Sequence, residues 1–194
     1  MNGIGRIVGA IGIAVALGMT AAQAADMDKL TLAIGQRGNW DTAVAELGQR
    51  AGIFKKHGLE LELLYTQGGG ETLQAVISGS AQIGVAAGTL GVFGAFAKGA
   101  PVRIIGAQAT GAAEYWYVPT DSALQRLQDA TADTTISYST NGSSSNSMAA
   151  GFVEQYKLAS KLVATGSPPA TFTAVMSGQV DVGWASPPFG LEPL

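Results

Sequence analysis

The chain has 194 residues, only 13% of them charged, and a formal net charge of −3. An average soluble domain carries roughly 25% charged residues, and nucleic-acid binders cluster Lys and Arg on one face, which this sequence does not do. Cysteine is absent and histidine occurs once, at His57. That composition excludes disulfides, thiol nucleophiles, Cys-ligated metals and a His-rich metal site, so no metal, cofactor or catalytic residue is assigned and the chain reads as a non-enzyme.

The first 24 residues read as an address. Arg6 supplies a positive charge, Ile7 to Leu17 an apolar stretch, and Ala22-Gln23-Ala24 the small-x-small pattern that a signal peptidase reads. The apolar stretch is short for a bilayer span of about 20 residues. A cleavable signal peptide over 1–24, a mature start at Ala25 and a periplasmic location are expected.

In the mature chain, Leu30 to Ile34 reads as a strand closed by the loop Gly35-Gln36-Arg37-Gly38-Asn39. Trp40, Val44, Leu47 and Ala51 fall at helical spacing before Gly52. Ile53 to Gly58 reads as a turn and Leu59 to Tyr65 as a strand. Gly68-Gly69-Gly70 leads into a helix from about Glu71 to Ser78, and Gln82 to Ala86 into a buried strand. A short helix at Gly91 to Ala97 and a strand at Val102 to Ala107 follow. Ala113 to Val118 is strand-like and Ser122 to Leu127 predicts a short helix. Thr134 to Ser139 predicts a strand, Ser147 to Tyr156 a helix, Lys161 to Ala164 a strand, Ala170 to Met176 a helix and Val180 to Trp184 a strand. This alternation of strand and helix argues for an α/β fold with largely parallel sheets.

One segment repeats. Ala75-Val76-Ile77-Ser78-Gly79 and Ala174-Val175-Met176-Ser177-Gly178 stand 99 positions apart, and the register continues through Gly84/Gly183, Ala86/Ala185 and Gly91/Gly190. Two lobes, each with a loop–helix–strand unit, are expected, one over residues 25–108 and one over 109–194. After its strand the first copy continues for two more elements, whereas the second has only Leu191 to Leu194. The second lobe therefore reads as incomplete at its C-terminus.

The run Arg50-Ala51-Gly52-Ile53-Phe54-Lys55-Lys56-His57-Gly58-Leu59-Glu60 resembles a signature of ABC-transporter substrate-binding proteins. Gly68-Gly69-Gly70, Ser78 to Gly84, Ser139 to Ser144 and Val163 to Pro169 fit the nitrate/sulfonate/taurine branch, which also includes thiamine-pyrimidine binders. Ser177 to Pro188 fits it too. The resemblance implies a two-lobed periplasmic binding fold of type II-like form, acting as a monomer. Its partners would be a small solute, aliphatic sulfonate-, nitrate- or taurine-like, and the membrane permease of an ABC importer, with no nucleic acid. The stretch Lys157 to Gly166 is shorter than the family's usual helix–loop–strand there. A periplasmic ligand sensor and a non-functional fragment are the alternatives.

Ligands of open α/β sheets sit beyond the carboxyl ends of the strands, where loops enter helices. The candidate ligand-binding residues are therefore Gln36, Arg37, Asn39 and Trp40 after the first strand, Gly69, Gly70 and Thr72 at the next helix, and Thr89. Gln108 joins them from the crossing between lobes. Ser139, Asn141, Gly142, Ser143, Ser144 and Trp184 are the candidates in the second lobe. Helix N-termini expose unpaired N–H groups and receive anions, glycine lets backbone approach closely, and Ser, Thr and Asn add uncharged donors. Glu71, a carboxylate at such a helix start, would repel an anion unless it points away or the solute carries a cation.

Overall fold

The computed structural model describes residues 27–191, so the expected signal peptide lies outside the described residues. The first strand, β1 (Asp28–Ile34), pairs in parallel with β2 (Leu59–Tyr65) on one side and β3 (Ile83–Val85) on the other. Between β1 and β2 lie α1 (Val44–Arg50) and α2 (Ile53–Lys56). Between β2 and β3 lies α3 (Gly69–Ile77). Leu32, Ile34, Ala45 and Leu61 form the buried core of this unit, with Phe54, Leu63 and Ile83 packed around it.

After α4 (Thr89–Ala97) the chain crosses to β4 (Tyr115–Tyr117) and builds β5 (Thr135–Tyr138), α5 (Ser144–Tyr156), β6 (Lys161–Ala164), α6 (Pro168–Met176) and β7 (Gly183–Ala185). β5 pairs with β6 in parallel, and a parallel bridge between Ile136 and Val182 joins it to the start of β7. β4 adds on antiparallel, with Trp116 opposite Trp184. Ile136, Tyr138, Ala149 and Val182 are the core here.

The repeat seen in the sequence is a repeat of hydrogen bonds. α3 and α6 begin and end 99 positions apart. Thr66 Oγ1 lies 2.8 Å from Thr72 Oγ1, and Thr165 Oγ1 lies 2.6 Å from Thr171 Oγ1. The amides of Thr66 and Thr165 bond the carbonyls that end β1 and β5, Ile34 and Tyr138. At the other end, a side-chain oxygen of Gln82 accepts from the Thr31 amide, and one of Asp181 accepts from the Thr135 amide, both at 2.8 Å. The strand order β2-β1-β3 is thus matched by β6-β5-β7, and two related α/β units carry the fold.

Ile53 to Lys56, expected as part of a turn, is the short helix α2, and two expected elements are absent. Residues 102–107 form no strand. Val102 is buried, but Ile105 is 78% exposed and among the described residues no neighbouring strand takes up the backbone groups, so the apolar run stays irregular. Residues 122–126 form no helix either. Arg126 is extended, and its amide and guanidinium bond the Asp129 carboxylate, which moves the helical turn to Leu127–Asp129. Finally, the apolar stripe of α1 faces outward. Trp40 is 63% and Leu47 61% exposed, while Ala45 and Gly48 are buried, because only the small residues allow the helix to sit against Phe54.

Candidate functional site

The loops after β1, β2, β3 and β5 meet where the two units touch. The contact begins at α3, whose first-turn amides have no partner within the helix. Gly70 donates its N–H to Thr140 Oγ1 at 3.1 Å, across 70 residues of sequence. Gly68 lies so close that a Cβ there would come within 2.6 Å of Thr140 Oγ1 and 2.9 Å of Ser139 Oγ. Glu71, though exposed, turns back on its own turn, its Oε2 accepting from the Gln67 amide at 2.9 Å, where its charge offsets the positive end of the helix.

The second unit presents α5 to the same place. Ser143 caps this helix, its Oγ accepting from the Asn146 amide at 3.1 Å, while Asn146 Oδ1 accepts from the Gly142 amide at 3.0 Å. Ser139 is buried, with its N–H and hydroxyl both on Ser145 Oγ. Asn141 is exposed and accepts from the Tyr138 hydroxyl at 2.6 Å. The start of α4 closes the ring. A Cβ on Gly88 would approach the Ser144 amide to 2.9 Å, and Thr89 is exposed beside it.

Glu114 is the residue that sequence reading passed over. Its Oε1 accepts from the Ser144 hydroxyl, and its Oε2 accepts from the Trp184 indole at 2.9 Å. Burial is the main cause that pushes its carboxyl above the usual glutamate range. The two hydrogen bonds oppose that shift, and the nearby Asp41 charge adds to it. Asp41 is likewise pushed up by burial, with its own and the Thr42 backbone amides opposing. Its carbonyl accepts from Gln108 Nε2. The available signal was a lone carboxylate heading the aromatic run Tyr115-Trp116-Tyr117.

The other candidates divide. Gln36 is buried and donates to the Gln67 carbonyl, beside Gly68. The buried Asn39 accepts from Thr42 through its carbonyl. Trp40 leaves its side chain in solvent, and its amide donates to the Pro187 carbonyl of the second unit at 3.1 Å. Arg37 leaves the group and lies over the Tyr65 ring, 4.1 Å from its centroid. Thr72 is fully buried, its hydroxyl spent on Thr66 and Gly68. Trp184 is 3% exposed and acts as packing with one anchored N–H. Among the described residues no cluster of His, Cys, Asp or Glu is arranged to hold a metal ion, and no helix is long and apolar enough to cross a membrane.

Two parallel α/β units in contact through the loops at their strand ends define a two-lobed binding-protein fold. The chain belongs to the NMT1/THI5-like family, whose profile matches residues 39–188. Among solved structures it is similar to a protein of Bordetella bronchiseptica RB50, with a TM-score of 0.72, 24% identity, and coverage of 84% of this chain and 52% of that one. It is also similar to the alkanesulfonate-binding protein SsuA of Xanthomonas axonopodis pv. citri bound to MOPS (TM-score 0.64, 21% identity, 86% of this chain and 57% of that one). A third is the periplasmic aliphatic sulphonate binding protein SsuA of Escherichia coli (TM-score 0.52, 20% identity, 82% and 51%). The chain therefore spans little more than half the length of these structures. No curated protein sequence matches it.

Proposed function

We propose that this chain is the periplasmic solute-binding component of an ABC importer, monomeric, capturing a small anionic or zwitterionic solute between its two lobes (residues 25–108 and 109–194). It would deliver that solute, of the sulfonate, nitrate or taurine kind, to a membrane permease, with no bond made or broken. The observation that carries the reading is the convergence of three helix N-termini on one seam. α3 meets Thr140, and the starts of α4 and α5 meet at Gly88 and Ser144. A terminus of this kind favours an anion by about 0.3–1 kcal/mol; at α3 the Glu71 carboxylate and Thr140 offset that gain, so the starts of α4 and α5 supply most of it.

Glu114 stands beside this seam through its bond to Ser144, and the Gln108 side chain reaches the Asp41 carbonyl from the crossing between the units. A taurine-like zwitterion is the solute to try first. The solute-binding names of two of the structural neighbours agree with this reading. The test is native mass spectrometry of the chain, with a thermal-shift panel of taurine, methanesulfonate, nitrate and benzoate. Taurine raising the melting temperature most is the expected result. A panel in which no member binds would remove the solute-binding reading.

A further inference from the structure

The seam between the units is lined from one side by glycine. A Cβ on Gly70 would overlap the Asn141 carbonyl oxygen, and one on Gly91 would overlap that of Gly142. One on Gly88 would come within 2.9 Å of the Ser144 amide nitrogen. All three obstacles are backbone of a single loop, Asn141 to Ser144, which cannot step aside as a side chain tip would. Gly88 also has a positive φ of 79°, where other residues are strained.

Gly91 and Gly94 make the contrast. Both lie inside α4, where glycine weakens a helix relative to alanine. Around a Cβ on Gly94 there is open space, whereas Gly91 abuts the opposite unit. The Gly70 amide donating to Thr140 Oγ1 then holds the loop in its track.

We propose that Gly70, Gly88 and Gly91 form a side-chain-free track on the first unit that receives the Asn141–Ser144 loop of the second and sets how far the two units close. The chain's own Thr140 takes up the Gly70 amide in this contact. The inference rests on the two units being the walls of the solute site, but its test uses no solute.

The chain has no cysteine, so paired labels can be placed cleanly. Lys56→Cys on the first unit and Gln155→Cys on the second are both exposed and would carry spin labels. Pulsed electron–electron resonance then reads the distance between the units in the full chain. Gly91→Ala and Gly70→Ala are each expected to shift the distribution to longer separations, with far-UV circular dichroism unchanged. Gly94→Ala is expected to leave the distribution where it was. An unchanged distribution in both seam variants would overturn the proposal. So would loss of cooperative folding in either one, since that would make the seam part of one rigid core and not a contact that closes. A solute panel without a hit would leave these distances, and the track, untouched.

Discussion

Glu114 couples three pieces of chain: its own strand-entry segment, the first turn of α5 through Ser144, and β7 through Trp184. Removing it strands the indole N–H of a residue that is almost fully buried, and a buried donor left unpaired costs about 1–3 kcal/mol. Glu114→Ala is therefore expected to destabilise the chain by about that much in urea denaturation. Glu114→Gln keeps an acceptor for the indole and removes the charge. Because burial raises the folded-state pKa of Glu114, the folded chain holds a proton at a pH where the unfolded chain has released it. The stability this contributes is present at low pH and is lost as pH rises through the folded value. Glu114→Gln should thus be more stable than the parent at neutral pH, with the difference shrinking as the pH falls through the raised range. Melts at pH 7.5 and pH 4 would check it, and an equal difference at both would refute it.

At the scale of elements, α3 and α6 show why a weak sequence repeat meant a structural one. Thr72 and Thr171 are fully buried, and each hydroxyl bonds the residue four positions back and a threonine six back. Thr72→Val and Thr171→Val keep the shape and lose the bonds, so each is expected to cost about 1 kcal/mol. The two lie in different units, so the double variant should come close to the sum. Equilibrium unfolding of the two singles and the double measures this, and a marked departure from additivity would count against two separate units. α1 carries the opposite lesson. Its period-3.6 stripe was legible, but periodicity does not say which side is covered. Leu47, the residue the stripe marks as core, is mostly exposed, so Leu47→Lys should change stability by less than about 0.5 kcal/mol, whereas a core position would lose several-fold more.

At the scale of the molecule, a solute held between the units stabilises only the folded, closed form. At a free concentration of about 100 times Kd that linkage amounts to about 2.7 kcal/mol, which for a chain of this size raises the melting temperature by roughly 5–10 °C. Thermal denaturation with taurine at increasing concentration should show a shift that keeps rising with the logarithm of concentration. A shift that saturates within a degree would mean that the ligand does not select the closed form.

Most of the elements were legible in the residues themselves. β2 and β6 stand where their apolar runs put them, α3 and α6 begin at or near their Gly and Pro signals, and the 99-residue echo announced two related units. Short-range chemistry decides such features, because the side chains that set a turn or a cap are neighbours in sequence. The grouping of Gly68, Gly70, Gly88 and Gly91 against Ser139 to Ser144 was not legible, nor was the role of Glu114, since their partners lie 30 to 72 positions away. For the same reason residues 102–107 read as a strand and are not one: a short apolar run needs an edge to pair with, and only the tertiary structure decides whether an edge is there.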